Sequence, residues 1–320
     1  MSNNLRIPTI LLVFLFAVSN ASDCVKEKIQ YDIARFTSSY KEEIEHHDDV
    51  VIKNDKEAFY INITGPVKSF CKGSINISVR SHHFWCGVST LKTIEVGAFD
   101  NQIIDSQFII SGNKIKVVQT GLFHDLQVEL MDLIYNEIEE IQENSIVNLP
   151  QLTTLHLSHN KISNLHPNAI RNTPKLQWFD ISNNNLKTLG PKVFDFLRKE
   201  VIVGIGVSGN NLEKIDPKAF EGLNIYTLGL DNNHLSTIPD TIFTNNKELS
   251  EIHLANNSLT SLSDKFFEMK TLNFIYLSGN DFKCDTILKL RDLFKRGGYV
   301  KESPKNGRFV KILSYDEKDC

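Results

Sequence analysis

Between Cys86 and Cys284 the chain has no cysteine, and its five cysteines, Cys24, Cys71, Cys86, Cys284 and Cys320, all lie towards the two ends of the 320 residues. Something other than disulfides must therefore hold the middle together. No basic stripe is present, and with a formal charge of -4 and a pI near 6.2 the chain lacks the surface that neutralises phosphates, which argues against a nucleic-acid partner. Glycine-rich phosphate loops, CxxC pairs and HxxxH-type ligand pairs are missing too, so no cofactor is implied. Beyond the first residues no apolar run approaches the ~20 residues that a membrane span needs. The tail ILSYDEKDC is neither a hydrophobic anchor signal nor a prenylation box.

What is present begins with Arg6, an apolar stretch from Ile10 to Val18, and Ser19-Asn20-Ala21, the order of a secretory signal. Cleavage is expected after Ala21, which places the mature protein outside the cell. A spanning helix is the competing reading, but the run is too short for one. In that oxidising setting five cysteines suggest two disulfides and one remaining thiol. With 41% hydrophobic and 23% charged residues, the rest reads as a folded chain long enough for one large or two ordinary domains.

An eleven-residue pattern then recurs. It is clear at Val128 (VELMDLIYNEI), Leu152 (LTTLHLSHNKI), Leu176 (LQWFDISNNNL), Ile202 (IVGIGVSGNNL), Ile225 (IYTLGLDNNHL), Leu249 (LSEIHLANNSL) and Leu272 (LNFIYLSGNDF), and weaker at Asp105 and Ser81. At Ser81 (SHHFWCGVSTL) the place of the asparagine falls to Ser89. An aliphatic follows at the fourteenth place and a bulky residue at the nineteenth, the latter Phe99, Phe123, Ile146, Ile170, Phe194, Phe220, Phe243 and Phe267. These residues resemble the leucine-rich repeat motif L-x-x-L-x-L-x-x-N-x-L over residues 81–282. The resemblance implies an α/β solenoid, a horseshoe with a parallel β-sheet on its concave face and a cap at each end.

Physically, places four to six form a short strand, and stacking the coils buries a core that one repeat cannot form alone. The asparagine carries a donor and an acceptor, so it can satisfy backbone groups of its own coil and the next. Asn113, Asn136, Asn160, Asn184, Asn210, Asn233, Asn257 and Asn280 are expected to form a ladder. The interval from Leu176 to Ile202 is the longest, and a bulged loop away from the sheet is expected near DFLRKEV.

The expected organisation is a signal over 1–21, an N-terminal cap region over 22–80, nine repeats over 81–282 and a C-terminal cap over 283–320. In the last, CDTILKLRDLFKR places apolar residues at 287, 290, 293 and 294 on one helical face, stopped by Gly297-Gly298. Cys284 and Cys320 can tie this lid down, which the resemblance to extracellular leucine-rich repeat caps also implies. Near the N-terminus, Val25, Ile29, Ile33, Phe36, Tyr40 and Ile44 have the spacing of an amphipathic helix. VVIKNDKEAFYINI then reads as a hairpin turning at Asn54-Asp55. A Cys71–Cys86 bridge is preferred, leaving Cys24 free or joined to another chain. Sequons stand at Asn62, Asn76 and Asn256, the last on the rim of the sheet.

Outward places of each repeat, the second, third, fifth, seventh and eighth, make the concave face where partners dock. Candidate binding residues there are Trp85, Tyr135, Trp178, Tyr226, Phe274 and Tyr276, the aromatic type that anchors interfaces. Gly204, Gly206 and Gly229 leave backbone bare, either for close approach by a ligand or as drift in an elongated repeat. Asp132, His156 and Asp180 fall at the fifth place of successive repeats. They read as mutual charge pairs rather than as a hydrolase or metal site, because serine at the seventh place belongs to the repeat and an open sheet offers no oxyanion pocket. His156 and His253 leave room for a pH-sensitive contact.

The signal, the cysteine-bearing segment before FWCGVSTLKTI and the closing run GNDFKCDTILKLRDLF resemble the leucine-rich immune molecules of mosquitoes and related insects. That resemblance implies a haemolymph factor of innate immunity, a recognition protein or a carrier whose partner is a complement-like thioester protein or a microbial surface component. No heptads follow the cap, so the chain resembles a coil-less type, in which only Cys24 is left to link a partner. An adhesion or developmental ligand-binding protein is the rival reading. A hydrolase or metalloenzyme at Asp132, His156 and Asp180 is the remote one.

Overall fold

The computed structural model describes residues 31–36, 42–46, 58–63, 67–72, 81–297 and 310–311. The chain forms two compact units, Met1–Lys161 with Asn168–Lys175, and Ile162–Pro167 with Leu176–Cys320. The secretory segment, Cys24, Asn76, Cys320 and the expected turn at Asn54-Asp55 lie outside the described residues.

In the first unit the strands Ala58–Ile63, Ser81–Cys86, Ile104–Ile109, Leu130–Asp132 and Thr154–His156 pair in parallel. Their register aligns the fourth place of each coil: Ile61 with Phe84, Phe84 with Phe108, Phe108 with Met131, and Met131 with Leu155. Alternation sends the side chains of Phe84, Phe108, Met131 and Leu155 inward, and all four are fully buried. The parallel sheet extends upstream of residue 81, because Ala58–Ile63 pairs with Ser81–Cys86, and Phe70, in register with Ile94, is buried at the same depth.

One N-terminal expectation is corrected. The helix expected from Val25 to Ile44 is instead an antiparallel pair, Tyr31–Phe36 with Glu42–His46. The first of these strands also pairs antiparallel with Ala58–Ile63, through Tyr31 opposite Ile63 and Asp32 opposite Asn62. A parallel sheet ends in a row of unsatisfied backbone groups, and covering that edge outweighs the helical spacing of six apolar residues. Ala58–Ile63 stands between two neighbours in the sheet, the strands Tyr31–Phe36 and Ser81–Cys86.

The asparagines form their ladder. Asn160 donates to the Leu133 carbonyl at 3.0 Å and accepts from the Ile138 N–H at 2.9 Å; Asn233 and Asn257 repeat this with Val207 and Leu212, and with Leu230 and Leu235. Each amide reaches back to the preceding coil, not on to the next. In the first repeat the stand-in is Thr90, whose hydroxyl accepts from the Val67 N–H at 3.1 Å and donates to the Val67 carbonyl at 2.8 Å. Ser89 is instead exposed in the left-handed conformation, at φ 58°. That conformation marks the corners of the coil. The eighth place adopts it at Gly112, Tyr135, His159, Asn183, Gly209, Asn232, Asn256 and Gly279. In the first unit the seventeenth place (Gly97, Gly121, Asn144) and the twenty-first (Asn101, Asp125, Asn148, Asn172) do the same, favouring Gly, Asn and Asp.

In the second unit Trp178–Asp180, Ile202–Gly206, Asn224–Gly229, Glu251–His253 and Phe274–Tyr276 form the parallel ladder, and Val310–Lys311 adds an edge strand. The sheet carries a bulge in which Tyr226 is the extra residue opposite Val203 and Gly204. Separately, residues 191–200 make turns with Arg198, Lys199 and Glu200 exposed. Phe196 folds back from this segment onto Phe179, with ring centroids 5.1 Å apart. The nineteenth-place spine continues through Phe194 and Phe220, stacked at 5.2 Å. Its last member is Phe266 rather than Phe267, since the short helix Asp264–Glu268 turns the earlier residue inward, 5.5 Å from Phe243. The cap helix forms over Cys284–Gly297, with Leu290 buried.

Cys86 is buried and free while Cys71 is disulfide-bonded, which overturns the Cys71–Cys86 bridge, and burial pushes the Cys86 thiol up to about 12. Cys71 and Cys284 are each disulfide-bonded.

Candidate functional site

The sheet's outward side chains come from alternate strand residues, so strand register decides which of them meet. In the second unit the third-place row is Trp178, Gly204, Thr227, Glu251 and Phe274, and the fifth-place row is Asp180, Gly206, Gly229, His253 and Tyr276. Trp178 is 40% exposed and Tyr226 50% exposed, large rings with no core to enter. Phe274 and Tyr276 are half-buried on the same side.

Neighbouring outward side chains pack against the glycines. A Cβ on Gly204 would lie 2.2 Å from Trp178 Cζ3, so the indole of the adjoining strand lies flat over that glycine. At Gly206 a Cβ would meet Asp180 Oδ1 at 2.6 Å, and at Gly229 the Ser208 hydroxyl at 2.9 Å. Bare backbone here is the floor on which neighbouring outward side chains rest.

His253 is clamped on this face. Its Nε2 lies 2.8 Å from Glu251 Oε1 and its Nδ1 3.4 Å from Asp231 Oδ1, while its ring stacks on Tyr276 at 4.2 Å. Burial lowers the His253 pKa, but the hydrogen bonds to Asp231 and Glu251 outweigh burial and hold it above its ordinary value. For Asp231 burial raises the carboxyl, and the bonds from His253 and Ser208 bring it below the usual range. Burial and the Glu251 charge hold the Tyr276 hydroxyl above its ordinary value. Asp231 and Glu251 were not among the expected binding residues. Asp231 was visible as an acid at a seventh place that is mostly serine, and Glu251 as one at an outward third place.

In the first unit Trp85 is 50% exposed on the outward side of its strand. Asp132 and His156 face each other in register, yet no ion pair joins them among the described residues. The expected charge pairing is absent because the Asp132 carboxylate accepts the Ile134 N–H two residues on, at 2.8 Å. Asp180, in the second unit, does the same with the Ser182 N–H at 3.0 Å. Both carboxylates are thus occupied in holding the turn after their own strand. No group of three or more His, Cys, Asp or Glu arranged to hold a metal ion occurs among the described residues. Tyr135 sits at a rim corner, 60% exposed at φ 54°, stacked on His159 at 4.3 Å. Of the sequons, Asn62 lies in the strand Ala58–Ile63 in register with Trp85, and exposed Asn256 donates its amide to Asn232 at 2.9 Å.

Among known proteins, the family described as Leucine rich repeat matches residues 106–162, 150–199 and 224–282. The repeat that begins at Ile202 falls in the gap between the last two matches. The high affinity nerve growth factor receptor of Gallus gallus is 37% identical over 70 residues, 22% of this chain and 9% of that protein. Of solved structures, the Toll–Spatzle complex of Drosophila matches with a TM-score of 0.56 and 19% identity, covering 70% of this chain and 32% of that one. The TLR13–ssRNA13 complex matches with a TM-score of 0.47 and 19% identity, covering 69% and 36%. The chain spans well under two thirds of each of these proteins. Its repeats are leucine-rich repeats, and the fold they build is a parallel-stranded leucine-rich repeat solenoid.

Proposed function

We propose that this chain is a secreted, non-enzymatic binding protein that engages a protein ligand through the outward face of its parallel sheet, as a recognition or carrier factor of innate immunity. The observation that carries the reading is the pair of exposed rings, Trp178 and Tyr226, held on a rigid sheet with no core to fill. Secretion is supported by the basic, apolar and small-residue order up to Ala21, and by the disulfide-bonded state of Cys71 and Cys284, which belongs to an oxidising compartment. With Cys86 free, we pair Cys284 with Cys320 and Cys71 with Cys24, an assignment that leaves only the buried thiol of Cys86 unpaired. Glycans at Asn62, Asn76 and Asn256 follow from the same compartment. Asp132 and Asp180 serve their own turns, which supports binding over hydrolysis.

The immune role rests on the resemblance to the insect immune molecules. It is tested by non-reducing pull-down from the source organism's body fluid, with and without bacterial challenge, using the secreted chain and its Trp178→Ala/Tyr226→Ala form. The expected result is a protein captured by the first and lost by the second, a thioester protein or a microbial component among the products. Equal capture by both forms refutes the face. Capture of an adhesion or developmental ligand instead moves the protein to the rival reading.

A further inference from the structure

We propose that the outward face of the second unit takes a basic, extended segment of its protein partner, with a lysine or arginine side chain seated over Gly206 and Gly229 between Trp178 and His253. This rests on the protein-binding reading and names the partner's chemistry. Gly206 and Gly229 are neighbours in register, flanked by the strands of Asp180 and His253. Three strand spacings separate those flanks, about 14 Å.

What lies over this floor is almost wholly acceptor. The Asp180 carboxylate covers Gly206 and the Ser208 hydroxyl covers Gly229. Asp231 and Glu251 close the far side through His253. No lysine or arginine occupies the third, fifth or seventh place of these five strands, although the chain carries 35. An acidic or phosphate-bearing ligand would face the carboxylates of Asp180, Asp231 and Glu251, whereas a guanidinium or ammonium brings donors and charge together. The face also offers rings for a cation to lie against, Trp178 at one flank and Tyr276 at the other. Trp178 is kept flat by Gly204, the one residue type that leaves it room.

The test uses the disulfide-intact secreted chain and a fluorescein-labelled peptide alternating arginine and alanine, beside peptides in which glutamine or glutamate replaces arginine. Anisotropy is expected to show saturable binding of the arginine peptide, weakened by salt, and none of the glutamate peptide. Asp231→Asn with Glu251→Gln is expected to weaken binding at least tenfold, about 1.4 kcal/mol. Glu139→Gln with Glu140→Gln removes the same charge from the first unit and is expected to leave binding within twofold. Circular dichroism of each variant separates lost binding from lost fold, and Trp178→Ala supplies a second loss-of-binding variant outside the acids. Equal weakening by the two double variants, or equal binding of the arginine and glutamine peptides, overturns the inference. If a partner without a basic segment is captured through Trp178 while the arginine peptide fails to bind, the partner's chemistry is overturned and the binding face stands.

Discussion

Asn210 and Asn211 are adjacent and chemically identical, and they should respond to leucine in opposite ways. Asn210 is 5% exposed and belongs to the ladder: it accepts from the Leu186 N–H at 3.0 Å and donates to the carbonyls of Ile181 and Val207, each at 3.1 Å. Leucine of similar size strands one buried donor, the Leu186 N–H, and removes two bonds to the carbonyls of Ile181 and Val207, which keep the amides of Asn184 and Asn233. The stranded donor costs about 1–3 kcal/mol and each lost carbonyl bond about 0.5–1.5 kcal/mol, while the added apolar burial returns about 1.5–3 kcal/mol at best in a cavity shaped for an amide. The expected net loss is about 2 kcal/mol, some thirtyfold in the folding constant, since about 1.4 kcal/mol is tenfold. Asn211 is exposed, with its backbone N–H bonded to Leu186, so Asn211→Leu should stay within about 0.5 kcal/mol of the wild type. Urea unfolding measures both, provided the slopes agree. Hydrogen exchange then localises the effect, with the Leu186 amide losing protection only in Asn210→Leu. Equal stabilities of the two variants, or a Leu186 amide protected in both, would refute the ladder as the element that joins the coils.

Further outcomes follow from the same geometry. Gly204→Ala drives a methyl into the Trp178 ring, so tryptophan fluorescence should shift to the red while global stability changes by under about 1 kcal/mol; an unchanged spectrum removes the glycine–indole contact. Iodoacetamide at pH 8 should leave Cys86 unmodified in the native protein and label it after unfolding, because the buried thiol titrates near 12; native labelling by mass spectrometry would contradict that burial. His253 has a raised pKa, so the stability it contributes is fully present below its unfolded value of about 6.5 and is lost as pH rises through the folded one. Asp231 is depressed, so its contribution is present above about 3.9 and is lost as pH falls through its folded pKa, which places the optimum of the pair between those two limits. NMR titration should find His253 above the ordinary value and Asp231→Asn should lower it; no change on substitution would disprove the clamp.

Much of the coil was legible because its determinants repeat. The fourth-place residues, the asparagine ladder and the spine from Phe99 to Phe243 recur at fixed spacing, and each recurrence is an independent vote on the same geometry. Errors came where one place was read alone. Ser89 looks like the missing asparagine by its position, but the left-handed corner comes one residue late in this repeat and the task passes to Thr90. Phe267 was one residue off because a five-residue helix replaces the extended corner of earlier coils. The seventeenth- and twenty-first-place Gly, Asn and Asp were present in the sequence and went unread, although they mark two further corners of the first unit. At the N-terminus no repeat was available to outvote the helical spacing, and the edge of the sheet decided the matter.

The outward face was harder to read for a physical reason. Inward places are constrained by the coil's own backbone and packing, so their chemistry can be inferred without knowing neighbours. Outward places answer to residues about 24 positions away in sequence and one strand away in space. Gly204 makes sense only beside Trp178, and Asp231 only beside His253, a pairing that register supplies and composition does not. Asp132 and His156 show the converse. They align across strands as expected, yet a turn N–H two residues away takes the carboxylate first, because a local hydrogen bond needs no neighbouring side chain to be held in place. Adjacency on a sheet is therefore necessary for a site and not sufficient. In the second unit the His253 clamp meets the further condition, since its acids keep facing the histidine, and it is there that the face acquires a chemistry of its own.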